Sequence, residues 1–223
     1  MKADSDCTLT LAIDGPAASG KSVVGREIAR RLGLRFLDTG TMYRAITWEA
    51  IRTGVSPDDA CELTAMTAHA DMRLAASGDG DRLLLDGDDI TDMLRLPEVD
   101  ANVSAVSAVS GVRRALVAQQ RSIAADSGIV MCGRDIGTVV LPDAGAKIFL
   151  TASAEVRAKR RALEAGQERD LRRVLEDMRR RDRIDSERDD SPLRPADDAT
   201  IIRTDSLTVE DVVLQILSKV RAC

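Results

Sequence analysis

TLTLAIDGPAASGKS, residues 8–22, passes from an apolar run through a glycine-bounded turn into a segment whose continuation has a helical step. Its last eight residues, Gly15–Ser22, fit the pattern G-x-x-x-x-G-K-[ST] without a mismatch. Context makes the match specific. A buried strand precedes it, and "GKSVVGREIARRLGL" follows as an amphipathic helix with Val23, Val24, Ile28 and Leu32 expected inward. Glycines at both ends let the main chain of Gly15, Pro16, Ala17, Ala18, Ser19 and Gly20 curl around a phosphate chain, and the helix N-terminus adds its partial positive charge. Lys21 is placed to reach β- and γ-phosphates, and the Ser22 hydroxyl to ligate Mg²⁺. Binding of ATP or GTP follows. GTPases, motors and small-molecule kinases all carry this loop. The chain has no "NKxD"-type guanine-reading sequence and is short for a motor. An acceptor site is therefore the next thing to seek.

Working outward, "RFLDTG" reads as a second short strand running into the helix "TMYRAITWEAIRTG", closed by Gly54, and residues 57–70 as a further helix. Residues 71–100 change texture: Gly-Asp turn signals between short apolar runs predict hairpins, a small β insertion. "VSAVSAVSGVRRALVAQQRSIAADSG" keeps a helical step through Val103, Val106 and Val109, so packing rather than low complexity explains the repeated triplet. "GIVMCG", "AKIFLTAS" and "ATIIRTD" are three more strands. Between the last two lie the helices "AEVRAKRRALEAG" and "ERDLRRVLEDMRRRD", with Gly166 a candidate hinge, and Thr208 with Asp211 forms a capping box for a terminal helix. Apolar strands alternating with helices imply a parallel sheet covered on both faces.

The 223 residues suit one sizeable domain; 44% are hydrophobic and 31% charged, which excludes wholesale disorder. No apolar run is long enough for a membrane span or a signal peptide. Four scattered cysteines and a single histidine argue for reduced thiols in a cytoplasm and against a zinc site. A net charge of −5 argues against a nucleic-acid polymer as partner. Yet 12 of the 32 Lys and Arg residues fall between Arg157 and Arg188, against only 8 acids there, a local excess fit for phosphates.

That excess includes an anomaly. Leu171, Val174, Leu175 and Met178 form an apolar helical stripe, and the same step then reaches Arg181, Asp185 and Arg188. A charge buried without a partner is costly, so this continuation should leave the core and wall a cleft. The plain alternative is a set of solvated charges at a fraying helix end. Other polar stretches sit just beyond strands or at helix starts, where open α/β sheets bind ligands. They are "DTGTMYR" with Tyr43 and Arg44, "SGVRR" with Arg113, and "GRDIGT" with Arg134 and Asp135.

With "IDGPAASGKS", "FLDTGTMYRA", "LDGDDIT", "VSAVSAVSGVR", "GRDIGTVVLPDA", "KIFLTAS" and "RRDRIDSER..SPL" in order from residue 12 to about 194, the chain resembles the bacterial cytidylate kinases, within the nucleoside monophosphate kinase family. The resemblance implies a five-stranded parallel sheet of the P-loop NTPase type flanked by helices. It also implies one kinase domain over 1–223, with core segments 8–36, 105–156 and 189–223. A monophosphate-binding region at about 37–104 would contain the β insertion at about 71–100, and a short lid would lie at about 157–170. It implies direct Mg²⁺-dependent transfer from ATP to CMP or dCMP, by a monomer. Lys21, Arg134, Arg181 and Arg188 would be catalytic. Arg160 and Arg161 would join the phosphate loop at ATP. Thr39, Tyr43, Arg44, Ser104, Arg113, Arg134, Asp135, Arg181, Asp185 and Arg188 would hold CMP, with Asp185 on the sugar and Ser104, Arg113 and Asp135 on the base.

Two departures qualify this. Cys132 stands before "GRD" where much of the family has an acid, so that residue's support of Mg²⁺ is either lost or passed to Asp14 or Asp135. "RDDSPL" replaces "RAVSPL", and Asp189 and Asp190 add negative charge expected to weaken nucleotide affinity. The rivals are a kinase for UMP or AMP and a nucleotide-binding regulator that has lost transfer. His69 is expected on a helix surface, Met42 and Trp48 in the core.

Overall fold

The computed structural model describes residues 9–75, 82–164, 166 and 170–220. In chain order the elements are β1 (Thr10–Asp14), α1 (Lys21–Leu32), β2 (Arg35–Asp38), α2 (Thr39–Thr53), α3 (Ala60–His69), β3 (Met72–Ala75), β4 (Arg82–Leu85), β5 (Asp88–Asp89), a 3-10 turn (Thr91–Arg95), α4 (Pro97–Ala108), α5 (Ser110–Ala125), β6 (Ile129–Gly133), a π-helical turn (Ile136–Val140), β7 (Ala146–Thr151), α6 (Ala154–Glu164), α7 (Leu171–Glu187), β8 (Thr200–Arg203) and α8 (Val209–Val220).

Strands β2, β6, β1, β7 and β8 stand in that order in one parallel sheet. Alternation along each strand feeds both faces. Leu11 and Ile13 of β1, with Val130 and Cys132 of β6, pack under α1 and α8 against Val24, Ile28, Val213 and Ile216. Ala12, Ile129 and Met131 point the other way, onto Met42, Ile46, Val112 and Leu116. The two-residue period of the strands thus supplies two cores from one sheet. Register pairs Asp14 with Gly133 and Asp38 with Cys132, so the carboxyl ends of β1, β2 and β6 come level. A third, smaller cluster of Ala158, Ala162, Val174 and Met178 joins α6 to α7 and rests on Ala17 and Ala18.

The β insertion is a three-stranded antiparallel meander, β3-β4-β5. Asp86 and Gly87, with φ of 51° and 93°, make the left-handed pair that a type I′ hairpin needs. The expected hairpin turn at residues 76–81 lies outside the described residues, as do Thr8 of the expected first strand and Ala165 and residues 167–169 of the expected lid.

Several expectations need correction. The insertion does not stay β to residue 100: after Asp89 the chain turns helical at Thr91, and Pro97 opens α4. Ile90 and Leu94 are buried four apart, a helical spacing overlooked beside the Gly-Asp turns. The valine-rich helix is two helices, broken where Val109 is extended at φ −70° and ψ 114°. Val23 is 56% exposed, and the inward face of α1 is Val24, Gly25, Ile28 and Ala29, with Leu32 half-buried. Met42 is fully buried, Trp48 packs half-buried against the core, and His69 is exposed. The Thr208–Asp211 capping box is reciprocal, each backbone N–H donating to the other's side chain at 3.0 and 3.2 Å. Among the described residues no helix is long and apolar enough to cross a membrane.

Candidate active site

The loop between β1 and α1 is held in a backbone shape that side chains resist. Gly15 has φ 147°, and a Cβ there would overlap the Leu150 carbonyl oxygen. Ala18 and Gly20 also lie at positive φ, 54° and 95°. Lys21 is 7% exposed and curls back so that Nζ donates to the Pro16 carbonyl at 2.7 Å. Burial and then the charge of Arg134 push its pKa down to about 7. An anion bound near both cations would relieve this repulsion.

Asp14 closes β1. Its two oxygens accept from Ile136 N at 2.8 Å and Gly137 N at 2.7 Å, which fastens the π-turn after "GRD" to the carboxyl end of the central strand. Burial lifts its pKa to about 6 against the lowering pull of those two N–H groups. Asp135, two residues before Gly137, meets Arg113 at 2.5 Å with both side chains almost fully buried. Arg113 also lies over the Tyr43 ring, 5.5 Å from its centroid, and donates to the Ser107 carbonyl at 3.3 Å. The Nε atoms of Arg113 and Arg188 are buried without a hydrogen-bond partner. Both are donors awaiting acceptors.

On α7 the apolar register of Val174 and Met178 continues into a charged step that is withdrawn from solvent. Asp185 is 5% exposed and takes Arg134 Nε at 2.9 Å, with Arg188 Nη1 at 3.6 Å. Burial would raise the carboxyl, but Arg134, Arg188 and Arg181 together hold it below the usual range. Burial lowers Arg181 to about 10, with Arg134 and Arg44 adding repulsion and Asp185 opposing it. These are not solvated charges at a frayed end. Arg44 lies against Asp100 at 2.6 Å and donates to the Leu94 carbonyl at 3.1 Å.

The other expected residues are less central or otherwise engaged. The Thr39 hydroxyl donates to the Cys132 carbonyl at 2.9 Å, and Ser104 is half-buried on α4. Arg160 donates to Thr204 Oγ1 at 3.0 Å and to its carbonyl at 2.5 Å, while Thr204 Oγ1 donates to Ser19 O at 3.2 Å, so Arg160 stands beside the phosphate loop. Arg161 pairs with Asp100 at 2.8 Å. Arg157, at the start of the expected lid, is buried and ties Ala17 O (3.2 Å) to Asp182 (2.6 Å).

Of the two carboxylates considered as substitutes at Cys132, Asp14 accepts from main-chain N–H groups and Asp135 from Arg113. The carboxylate beside Ser22 is Asp38, which accepts from its hydroxyl. Asp38, the first residue of "DTGTMYR", is not among the expected site residues; its place at the carboxyl end of β2 is the sequence signal that marks it. Cys132 is fully buried under α1, its Sγ 2.5 Å from where a Gly25 Cβ would stand, and burial raises its thiol pKa. Asp189 and Asp190 are exposed, Asp190 lying 4.0 Å from Arg114.

A family model described as cytidylate kinase matches residues 11–222. A cytidylate kinase of Rhodococcus opacus is 48% identical over 96% of this chain and 95% of its own, and one of Desulforamulus reducens is 47% identical over 93% and 95%. Among solved structures, an uncharacterized protein of Eubacterium ventriosum aligns with a TM-score of 0.54 and 14% identity, covering 97% of this chain and 99% of its own. That last likeness concerns the fold.

Proposed function

The chain belongs to the cytidylate kinase family, and we infer from this that it moves the γ-phosphoryl group of ATP to CMP or dCMP, giving CDP or dCDP. The observation that carries the reading to residues is the phosphate loop with Lys21 folded onto it, together with the Asp185–Arg134–Arg188 group, whose Arg134 charge bears on that lysine. Transfer is direct and in line: an acceptor phosphate oxygen forms its bond to phosphorus as the bridge to ADP breaks. Positioning and charge stabilisation suffice, without a covalent intermediate.

In this reading the loop main chain and Lys21 hold the donor phosphates, and Arg44, Arg134, Arg181 and Arg188 grip the acceptor phosphate and balance developing charge. Mg²⁺, arriving with ATP, would draw charge from the β- and γ-oxygens. Ser22 and Asp38 are hard oxygen donors already in contact, a set that suits a small divalent cation. Asp185 serves the sugar hydroxyls. Asp135, held by Arg113, accepts from the cytosine amino group, where uracil would present an oxygen. Ser104 completes the base contacts. A short lid that begins in α6 would close over ATP and keep water out. The working unit is a cytoplasmic monomer.

A coupled assay across CMP, dCMP, UMP and AMP with Mg²⁺ and ATP tests the reading. CMP and dCMP should lead, and Asp135→Asn should flatten the CMP-over-UMP ratio by roughly 10- to 100-fold. Equal rates on all four would end the base-reading argument. Tight ATP binding with no CDP formed at saturating CMP would favour a regulator instead.

A further inference from the structure

Asp100 touches two arginines from two different helices. Placed in the first turn of α4, it sets Oδ1 at 2.6 Å from Arg44 Nη1 of α2 and Oδ2 at 2.8 Å from Arg161 Nη2 of α6. It also acts on the half-buried Arg181, opposing the repulsion that Arg44 and Arg134 exert there. An acid in a first helical turn is ordinary, since it suits the helix dipole. One that bridges two other helices within a group of guanidinium ions needs a further account. Resting on the roles given above to Arg44 and Arg161, we propose that Asp100 is a positioning residue. It holds both arginines in the free protein and yields Arg44 to the acceptor phosphate, so that Arg161 reaches the donor only when an acceptor is bound.

Three features support an exchangeable hold rather than a fixed brace. The contact to Arg44 is short but lacks hydrogen-bond alignment, and Asp100 Oδ1 has no hydrogen-bond partner. Each arginine has another partner in reserve: the Leu94 carbonyl for Arg44 at 3.1 Å, and Glu164 for Arg161 at 3.8 Å. The side chain of Asp100 is 32% exposed, so it can turn to water when displaced. A phosphate dianion brings more charge than one carboxylate and can take a guanidinium through two oxygens. Once it sits on Arg44, Asp100 faces like charge and swings away, and the tie between α4 and α6 is released. In the absence of an acceptor, the donor phosphates meet one fewer cation, which slows loss of the γ-phosphoryl to water.

The test compares Asp100→Asn with Asp100→Glu and wild type. By calorimetry, the Asn variant should bind CMP about 3- to 30-fold more tightly, because a like charge beside the phosphate is gone and screening limits the gain. Cytidine, which has no phosphate, should bind within about 2-fold of wild type if only the phosphate contact changes. ATP hydrolysis without CMP should rise about 3-fold or more, with kcat toward CMP not raised, and the Glu variant should return both readouts toward wild type. CMP binding unchanged or weakened in the Asn variant, equal tightening of cytidine, or unchanged hydrolysis would each overturn the proposal. Should the Asn variant melt too low to assay, Asp100→Ser carries the same comparison. Absence of CDP formation by wild type would instead strike at the family-level reading, since the two binding measurements need no turnover.

Discussion

Burial and the charge of Arg134 both press on Lys21, and the cost is visible in its pKa, which falls to about 7. The neighbouring carboxylates are more settled. Asp14 is bound by two main-chain N–H groups, so Asp14→Asn sets an amide NH₂ against one of them. Leaving that buried main-chain N–H unpaired costs about 1–3 kcal/mol, hence a fall in Tm of roughly 2–12 °C at this chain length. The raised carboxyl also fixes the sign of the pH dependence. Its folded pKa of about 6 lies above the unfolded value, so the stability it contributes is present below about 3.8 and lost as pH rises through about 6. The Tm gap between wild type and Asp14→Asn should accordingly narrow between those pH values; a constant gap would contradict the assignment. Asp38→Asn keeps the cap on Gly40 N, now at 3.0 Å, but removes a charged oxygen beside Ser22. We expect kcat to fall about 10- to 100-fold with a higher Mg²⁺ requirement and little change in Tm. Full activity at low Mg²⁺ would remove Asp38 from the metal's surroundings.

Elements meet at glycines where they approach most closely. Gly25 lets α1 lie on Cys132 and Phe36, and Gly111 lets α5 lie on Thr64 of α3, where an added Cβ would overlap Oγ1. Gly111→Ala should lower stability by about 1–3 kcal/mol through overpacking, measured by denaturant midpoint. Thr64→Ala in the same chain should recover part of that loss, since it removes Oγ1 and Cγ2 but leaves Cβ at 2.8 Å. Full additivity would contradict the contact. The same helices explain where periodicity misled. The step Val103, Val106, Val109, Val112 continues across the break at Val109, because a single extended residue between two helices hardly disturbs a spacing of three. Val23 fails differently: it neighbours the inward Val24, and hydrophobicity alone does not say which of two adjacent valines faces the sheet.

At the scale of the molecule, the proposed donor loop belongs to the β1–α1 turn, while the proposed acceptor side draws on α2, α4, α5, the loop after β6, and α7. Binding a ligand between them ties these parts together. CMP at about 100 times its dissociation constant should stabilise the fold by about 2.7 kcal/mol, a Tm increase of roughly 5–11 °C. Thermal scans with CMP and with cytidine separate the phosphate contribution, and no shift with CMP would count against an acceptor site on this face.

The phosphate loop, the alternating strands and the hairpin at Asp86–Gly87 were determined by the chain itself, because each depends on neighbours a few residues apart and on backbone shapes that glycine permits. That the charged step on α7 is no run of solvated surface charge likewise followed from its register with Val174 and Met178. Only the folded molecule decided which charges meet. Asp38 at Ser22, Arg113 on Asp135, Asp185 between Arg134 and Arg188, and Asp100 between Arg44 and Arg161 join segments up to 61 residues apart. Such pairings follow from strand order and helix crossing, which fix distances in space that no local spacing encodes.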